Sequence, residues 1–308
     1  MKQSTLGLFG RSLSLVSSIV IIPLMISLLG VANYGSWLVI SSISNWIILF
    51  NSGVSNSMRN KFTEYIVNGE LSKLSSAISW VLFLFVLFGV VLYALILTSL
   101  QIWNLNLDAL IPKNNIEYSL LKYMIMLVTG AGIGRLILSP IKALFFSFNS
   151  SGHIDLLNGV GNFIFLLIIY LNKFYSLFSL QILLFLQVGI PLFVFGFYSI
   201  YRYRDLMTIN FSSNRVNLSE LMSGSGDFLI VEWSGVLFFA TMSWVINFML
   251  GPESVVNFMI LERVFSVPLI LSAVLMLPIW NYFTTYWKVN NFMKIRKLII
   301  KGRLISVS

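Results

Sequence analysis

Trp80-Val-Leu-Phe-Leu-Phe-Val-Leu-Phe-Gly-Val-Val-Leu-Tyr-Ala-Leu-Ile-Leu97 decides the fold. The stretch carries no charge and shows no alternation of apolar and polar residues. A run of this kind fits a helix crossing a bilayer, which needs about 20 apolar residues, and not a barrel strand of period two. Working outward, seven further apolar stretches appear. The eight together lie at about 6–29, 36–56, 77–100, 119–146, 156–172, 177–199, 228–250 and 255–280. They predict an all-α polytopic membrane protein. In lipid every backbone polar group must be satisfied internally, which restricts spanning structure to helices and closed barrels.

Composition agrees. Of 308 residues, 57% are hydrophobic and 10% charged, against about 25% charged in ordinary soluble domains. Mean hydropathy is +0.88. Cysteine is absent, which removes disulfides and thiolate metal sites. The first stretch is long and lacks a small-x-small cleavage site around Leu28-Leu29-Gly30-Val31, so it reads as a span and not as a cleaved signal.

The net charge of +9 reflects topology and does not point to nucleic acid. With the amino terminus placed in the cytoplasm, that side holds Lys2, Arg59, Lys61, Lys73, Lys142, Arg202, Arg204, Arg215, Lys288, Lys294, Arg296 and Lys297. The other side holds mainly Lys113, Lys122 and Lys173. This is the asymmetry of the positive-inside rule, and the basic loops also favour anionic cytoplasmic lipid.

The loops between spans one and two, five and six, and seven and eight are tight. Arg59 to Ser76 reads as an amphipathic inside loop, partly helical at the interface. Ile200 to Gly226 is the longest polar stretch and ends in Ser223-Gly224-Ser225-Gly226, a helix-breaking run. The chain therefore divides into a first six-helix lobe, 1–200, a cytoplasmic linker, 201–226, and a second lobe, 227–308. Leu29-Gly30 and Leu250-Gly251 end spans one and seven alike. Two parallel repeats give that pattern, and so do two ordinary Gly-capped helix ends. Two spans against six in the first lobe lead us to expect a chain cut short.

Polar exceptions inside spans are the candidate functional residues. Arg135 follows Gly130-Ala131-Gly132-Ile133-Gly134 deep in span four. A central Arg costs about 2.5–3.5 kcal/mol on insertion scales, a cost much reduced in a wet cavity, where the charge can bind an anion. A buried carboxylate partner is the alternative. The glycines thin one face for a neighbouring helix or a substrate. Arg11 shares a face with Ser14, Ser17 and Ser18, a stripe that turns towards protein or water, with snorkelling of Arg11 to the cytoplasm as the alternative. Asp227 and Glu232 lie early in span seven as coupling candidates. Glu262 and Arg263, inside span eight, point about 100° apart on a helix, so one can meet a cavity while the other pairs with a neighbour. Pro23, Pro140, Pro191, Pro268 and Pro278 kink helices, either for gating or with no mechanical role. His153, the lone histidine, reads as part of a turn and supports no metal site. No phosphate loop or catalytic triad is present, so neither a cofactor nor an enzymatic activity is expected. Trp37, Trp46, Trp80, Trp103 and Trp280 read as interface anchors.

Three segments carry a family resemblance. Leu29-Gly30-Val31-Ala32-Asn33-Tyr34-Gly35-Ser36-Trp37 resembles the first hairpin of bacterial oligosaccharide flippases. Ser52 to Lys61, with Glu64 and Gly69-Glu70, is similar to the segment after their second helix. Leu250-Gly251-Pro252-Glu253 with Glu262-Arg263-Val264-Phe265 is similar to their seventh and eighth helices. These are the O-antigen (Wzx-type) and related polysaccharide transporters of the multidrug/oligosaccharidyl-lipid/polysaccharide flippase superfamily. The resemblance runs through the chain on short, mostly apolar motifs.

It implies twelve or more helices in two lobes around an alternating cavity in the bacterial inner membrane. It also implies a polyprenyl-diphosphate-linked oligosaccharide as substrate, with Arg11, Arg59, Arg135 and Arg263 as the cations that meet the diphosphate. Expected partners are that lipid-linked oligosaccharide, membrane lipids, and polysaccharide polymerase and chain-length proteins. Two alternatives remain: a cation-coupled multidrug exporter of the same fold, or a truncated transporter without activity. A membrane polymerase or transferase of sugars would want acid–base residues in large outside loops, and these loops are short.

Overall fold

A computed structural model describes residues 2–102, 117–207 and 225–268, together with 221, 283, 285–287 and 293–296. Its elements are α1 (Lys2–Leu29), α2 (Val31–Val67), α3 (Leu71–Ile102), α4 (Tyr118–Ile137), α5 (Ser139–Ser147), α6 (Ser151–Tyr175), α7 (Leu180–Tyr203), α8 (Ser225–Leu250) and α9 (Pro252–Phe265). Among the described residues the regular structure is all helical. Five segments are long and apolar enough to cross a membrane: Thr5–Leu29, Leu71–Leu100, Tyr118–Ser147, Ser151–Tyr175 and Leu180–Tyr203. This is a multi-pass membrane protein. The expected second span falls within α2, where Ser36, Ser41, Ser42, Ser44 and Asn45 dilute the apolar character. The seventh falls within α8. The eighth begins as α9, and its part beyond 268 lies outside the described residues, as do Pro278 and residues 288–292 and 297–303 of the basic stretch.

Two boundaries differ from those expected of the sequence. Arg59 to Ser76, expected to be partly helical, is helical throughout apart from one turn. α2 runs on to Val67, a turn at 68–70 follows, and α3 begins at Leu71. Helix persists because Met58, Phe62 and Tyr65 bury an apolar face against Ile141, Leu144 and Phe145 of α5. Span four breaks at Leu138, where Pro140 opens α5 without an amide to donate. Pro23 and Pro191, by contrast, lie within unbroken helices. Of the linker, Leu221 is described: it is buried in the same cluster, and its carbonyl accepts a hydrogen bond from Ser57 Oγ at 2.7 Å.

Small residues set the tightest helix pairing, that of α1 on α6. A side-chain carbon on Gly10 would strike the backbone of Asp155 and Leu156, and one on Gly159 the backbone of Gly10. In lipid, close backbone approach of this kind drives helix association. α6 also packs on α7, while α2 touches α4, α5, α8 and α9. The two Leu-Gly corners have matching geometry: Gly30 sits at φ 77°, ψ 159° and Gly251 at φ 94°, ψ 170°. Both values lie in the region that favours glycine. Each corner amide donates back into the preceding helix, Gly30 to Ile26 O at 2.8 Å and Gly251 to Asn247 O at 3.0 Å. The corners also meet, since Gly35 leaves no room for a side chain against the Pro252 backbone.

Candidate functional site

A cavity of about 500 Å³ opens between α1, α2, α4, α5, α6, α7 and α9. Arg135 enters it from the last turn of α4, just before the break at Leu138. Gly132 is what lets α4 approach α2: a side-chain carbon there would lie 2.9 Å from Ile47 Cδ1 and 3.2 Å from the Ser44 Cα. The thinned face therefore receives a neighbouring helix, and the guanidinium reaches across it, Arg135 Nη1 donating to Ser44 Oγ at 3.3 Å.

Two more cations line the same cavity, Lys142 and Arg263. The loop charges assign Lys142 to the inside surface between spans. It lies instead within α5, with Nζ 5.7 Å from the centre of the Phe195 ring. Arg135 in the last turn of α4 and Lys142 in the first turn of α5 flank the break at Leu138, and both line the cavity. Arg263 lines the cavity and Glu262 does not, as the 100° offset between neighbours requires. None of the described lining residues is Asp or Glu.

The other expected cations stand elsewhere. Arg11 Nε lies 3.0 Å from Asp155 Oδ1, an ion pair in the α1–α6 seam, and Arg11 does not line the cavity. The signal that could have shown it is a matched spacing: Arg11, Ser14 and Ser18 on α1 against Asp155, Asn158 and Asn162 on α6. Asn162 Nδ2 donates to Ser14 Oγ at 2.7 Å. Ser17, expected in this stripe, is instead buried in the packing.

Arg59 is 3% exposed, stacked over Phe146 at 5.0 Å, below the apolar part of α2 and away from the cavity lining. Burial lowers its pKa to about 10, which still leaves it charged at neutral pH. Asp227 and Glu232 belong to α8, but their side chains lie outside the described residues. His153 is in the first turn of α6, stacked on Tyr198 at 6.0 Å, rather than in a turn. Trp37 is 1% exposed and lines the cavity, so it is no interface anchor.

The remaining lining is uncharged and polar: Ser14, Ser18, Ser41, Ser44, Asn158, Asn162 and Gln187, beside Tyr34 and Trp37. Such a surface binds an anion through Arg and Lys, with hydroxyl and amide groups for neutral hydrogen-bonding partners and aromatic faces for flat apolar ones. No family model, curated protein or solved structure matches the chain. The class defined by fold and site is a multi-pass helical membrane protein with a cationic, carboxylate-free cavity among the described residues.

Proposed function

We propose that the chain belongs to a flippase that moves a polyprenyl-diphosphate-linked oligosaccharide, such as an O-antigen or capsule repeat unit, to the outer leaflet of the bacterial inner membrane. On this reading α1–α7 form a first lobe, α8 and α9 open a second, and the amino terminus is cytoplasmic. The polymerase and chain-length proteins act downstream on the product. The observation that carries the reading is the convergence of Arg135, Lys142 and Arg263 on one cavity with no carboxylate among its described lining residues. Cations that converge on a cavity whose described lining carries no carboxylate suit an anion that comes and goes. The polar lining suits the sugar, while the prenyl tail stays in the bilayer.

A cation-coupled drug exporter would place carboxylates in this lobe as ion sites. The carboxylates described there are engaged elsewhere: Asp155 with Arg11, Glu64 with Lys61, Glu70 with Lys73, and Glu117 accepting from Ser119.

The test is a strain whose surface polysaccharide depends on the protein. Arg135→Ala at normal protein level should abolish surface polymer and leave lipid-linked repeat units on the cytoplasmic side. Wild-type amounts of surface polymer would sink the assignment.

A further inference from the structure

Cations of this chain differ in the kind of partner that holds them. Lys61 and Lys73 pair with Glu64 and Glu70 at 3.1 and 2.7 Å, and Arg11 pairs with Asp155. Lys142 has no carboxylate partner among the described residues, and its Nζ stands instead 5.7 Å from the centre of the Phe195 ring. That is within the reach of about 6 Å at which a ring face attracts an ammonium. The ring itself is held firmly. Phe195 is 2% exposed, and Phe145 of α5 packs against it at 5.6 Å between centroids. Pro191 and Phe195, four residues apart on α7, share a face, and both line the cavity. Gly161 of α6 keeps that face close, since a side-chain carbon there would lie 2.7 Å from Pro191 Cα. The ring therefore comes to the cavity from a fixed α7, and the ammonium meets it from the first turn of α5.

A ring face attracts the ammonium through its quadrupole but carries no charge, so it places Lys142 without neutralising it. A carboxylate in the same position would do both. Lysine is a point charge on a flexible four-carbon stem. Near the end of a span, and without the ring, such a side chain snorkels to the nearer membrane surface. From this we propose that Phe195 is a positioning residue: its ring seats the Lys142 ammonium on the cavity wall, where the N–H groups of the lysine can donate to a phosphate. The proposal rests on the flippase reading for the diphosphate and adds the residue that keeps one of its cations in place. Arg135 is held in a comparable way by another neutral partner, the Ser44 hydroxyl. Neutral seats of this kind order a cation in advance, and no carboxylate among the described lining residues competes with the incoming anion for it.

The experiment titrates a bare prenyl diphosphate into the full chain in nanodiscs by calorimetry. At position 195 the phenylalanine is exchanged for analogues with successive ring fluorines, which withdraw electron density from the face and change the volume little. Affinity should fall stepwise along that series. Phe195→Leu should lose about two- to tenfold, the cost of ordering one released side chain on binding. In a Lys142→Met background, itself weaker, neither the fluorine series nor Phe195→Leu should make a further difference. A flat fluorine series, or a gain in affinity along it, overturns the seat and leaves the diphosphate reading intact. Losses that add in full to that of Lys142→Met also overturn it, because the ring then acts through its own contacts and not through the lysine. A wild type that does not bind the prenyl diphosphate overturns both the seat and the reading beneath it. The fluorinated proteins keep the ring and its packing, so a folding defect confined to Phe195→Leu does not obscure the result.

Discussion

Arg11 and Arg135 are both arginines set among apolar residues, and their surroundings differ in one respect. Arg11 lies 3.0 Å from the carboxylate of Asp155, in a seam closed by Gly10 and Gly159. Arg135 reaches a serine hydroxyl and shares its cavity with two further cations. The first charge is answered within the fold and holds helices in place. The second is not answered by any described lining carboxylate, and that leaves room for a ligand. The comparison separates a structural cation from a functional one by partner rather than by residue type or depth.

The largest effect that tests the comparison is on stability. Asp155→Ala removes the carboxylate of this largely buried ion pair, and loss of one member of a buried pair costs about 3–5 kcal/mol. Denaturant unfolding in mixed micelles should register that loss. The double replacement Arg11→Met with Asp155→Leu should restore most of it, because neither charge is then stranded. An Asp155→Ala protein as stable as wild type would show that the pair is not structural.

Next in size is ligand affinity. Arg135→Ala removes charge-assisted hydrogen bonds worth about 1.5–3 kcal/mol, so binding of a prenyl diphosphate should fall roughly 10- to 100-fold, with little change in unfolding. The Arg11→Met, Asp155→Leu double variant should bind it normally. Equal losses in the two variants would erase the distinction. The smallest effect is expected from Ser44→Ala, which takes away the hydroxyl that positions Arg135. A neutral-to-charged hydrogen bond at 3.3 Å predicts a reduction of a few-fold in affinity, about 0.5–1.5 kcal/mol. An unchanged titration curve would mean that Ser44 does not orient the guanidinium.

Much of the helical architecture was legible because an uncharged apolar run of span length is costly to keep anywhere but in a bilayer. The corner glycines were legible too, since a glycine directly after a long apolar run is a common helix stop, whereas Leu6-Gly7 lies inside α1. Arg135 stood out because a charge after a glycine run in an apolar stretch is rare. Lys142 was missed because a lysine two residues after a proline near a span end looks like a loop residue. Only the packing of α5 on α2 and the Phe195 ring show that it is inside. Extension of α2 past Arg59 was hidden for a related reason. Its polar residues resemble a loop until Met58 and Phe62 are seen packed on α5. The Arg11–Asp155 pair needed two helices aligned in register, and a single sequence shows each stripe but not which stripes face each other.

The meeting of the two Leu-Gly corners at Gly35 and Pro252 has a mechanical consequence. Backbone touching backbone there leaves no slack for sliding. Any movement of α9 against α2 would therefore have to turn about that point, as shears turn on a rivet. Displacement grows with distance from the rivet, and α1 extends about 40 Å away from it at 1.5 Å per residue. Ser57, which holds Leu221 by its hydrogen bond, lies 22 residues along α2 from Gly35, about 33 Å from the rivet at 1.5 Å per residue.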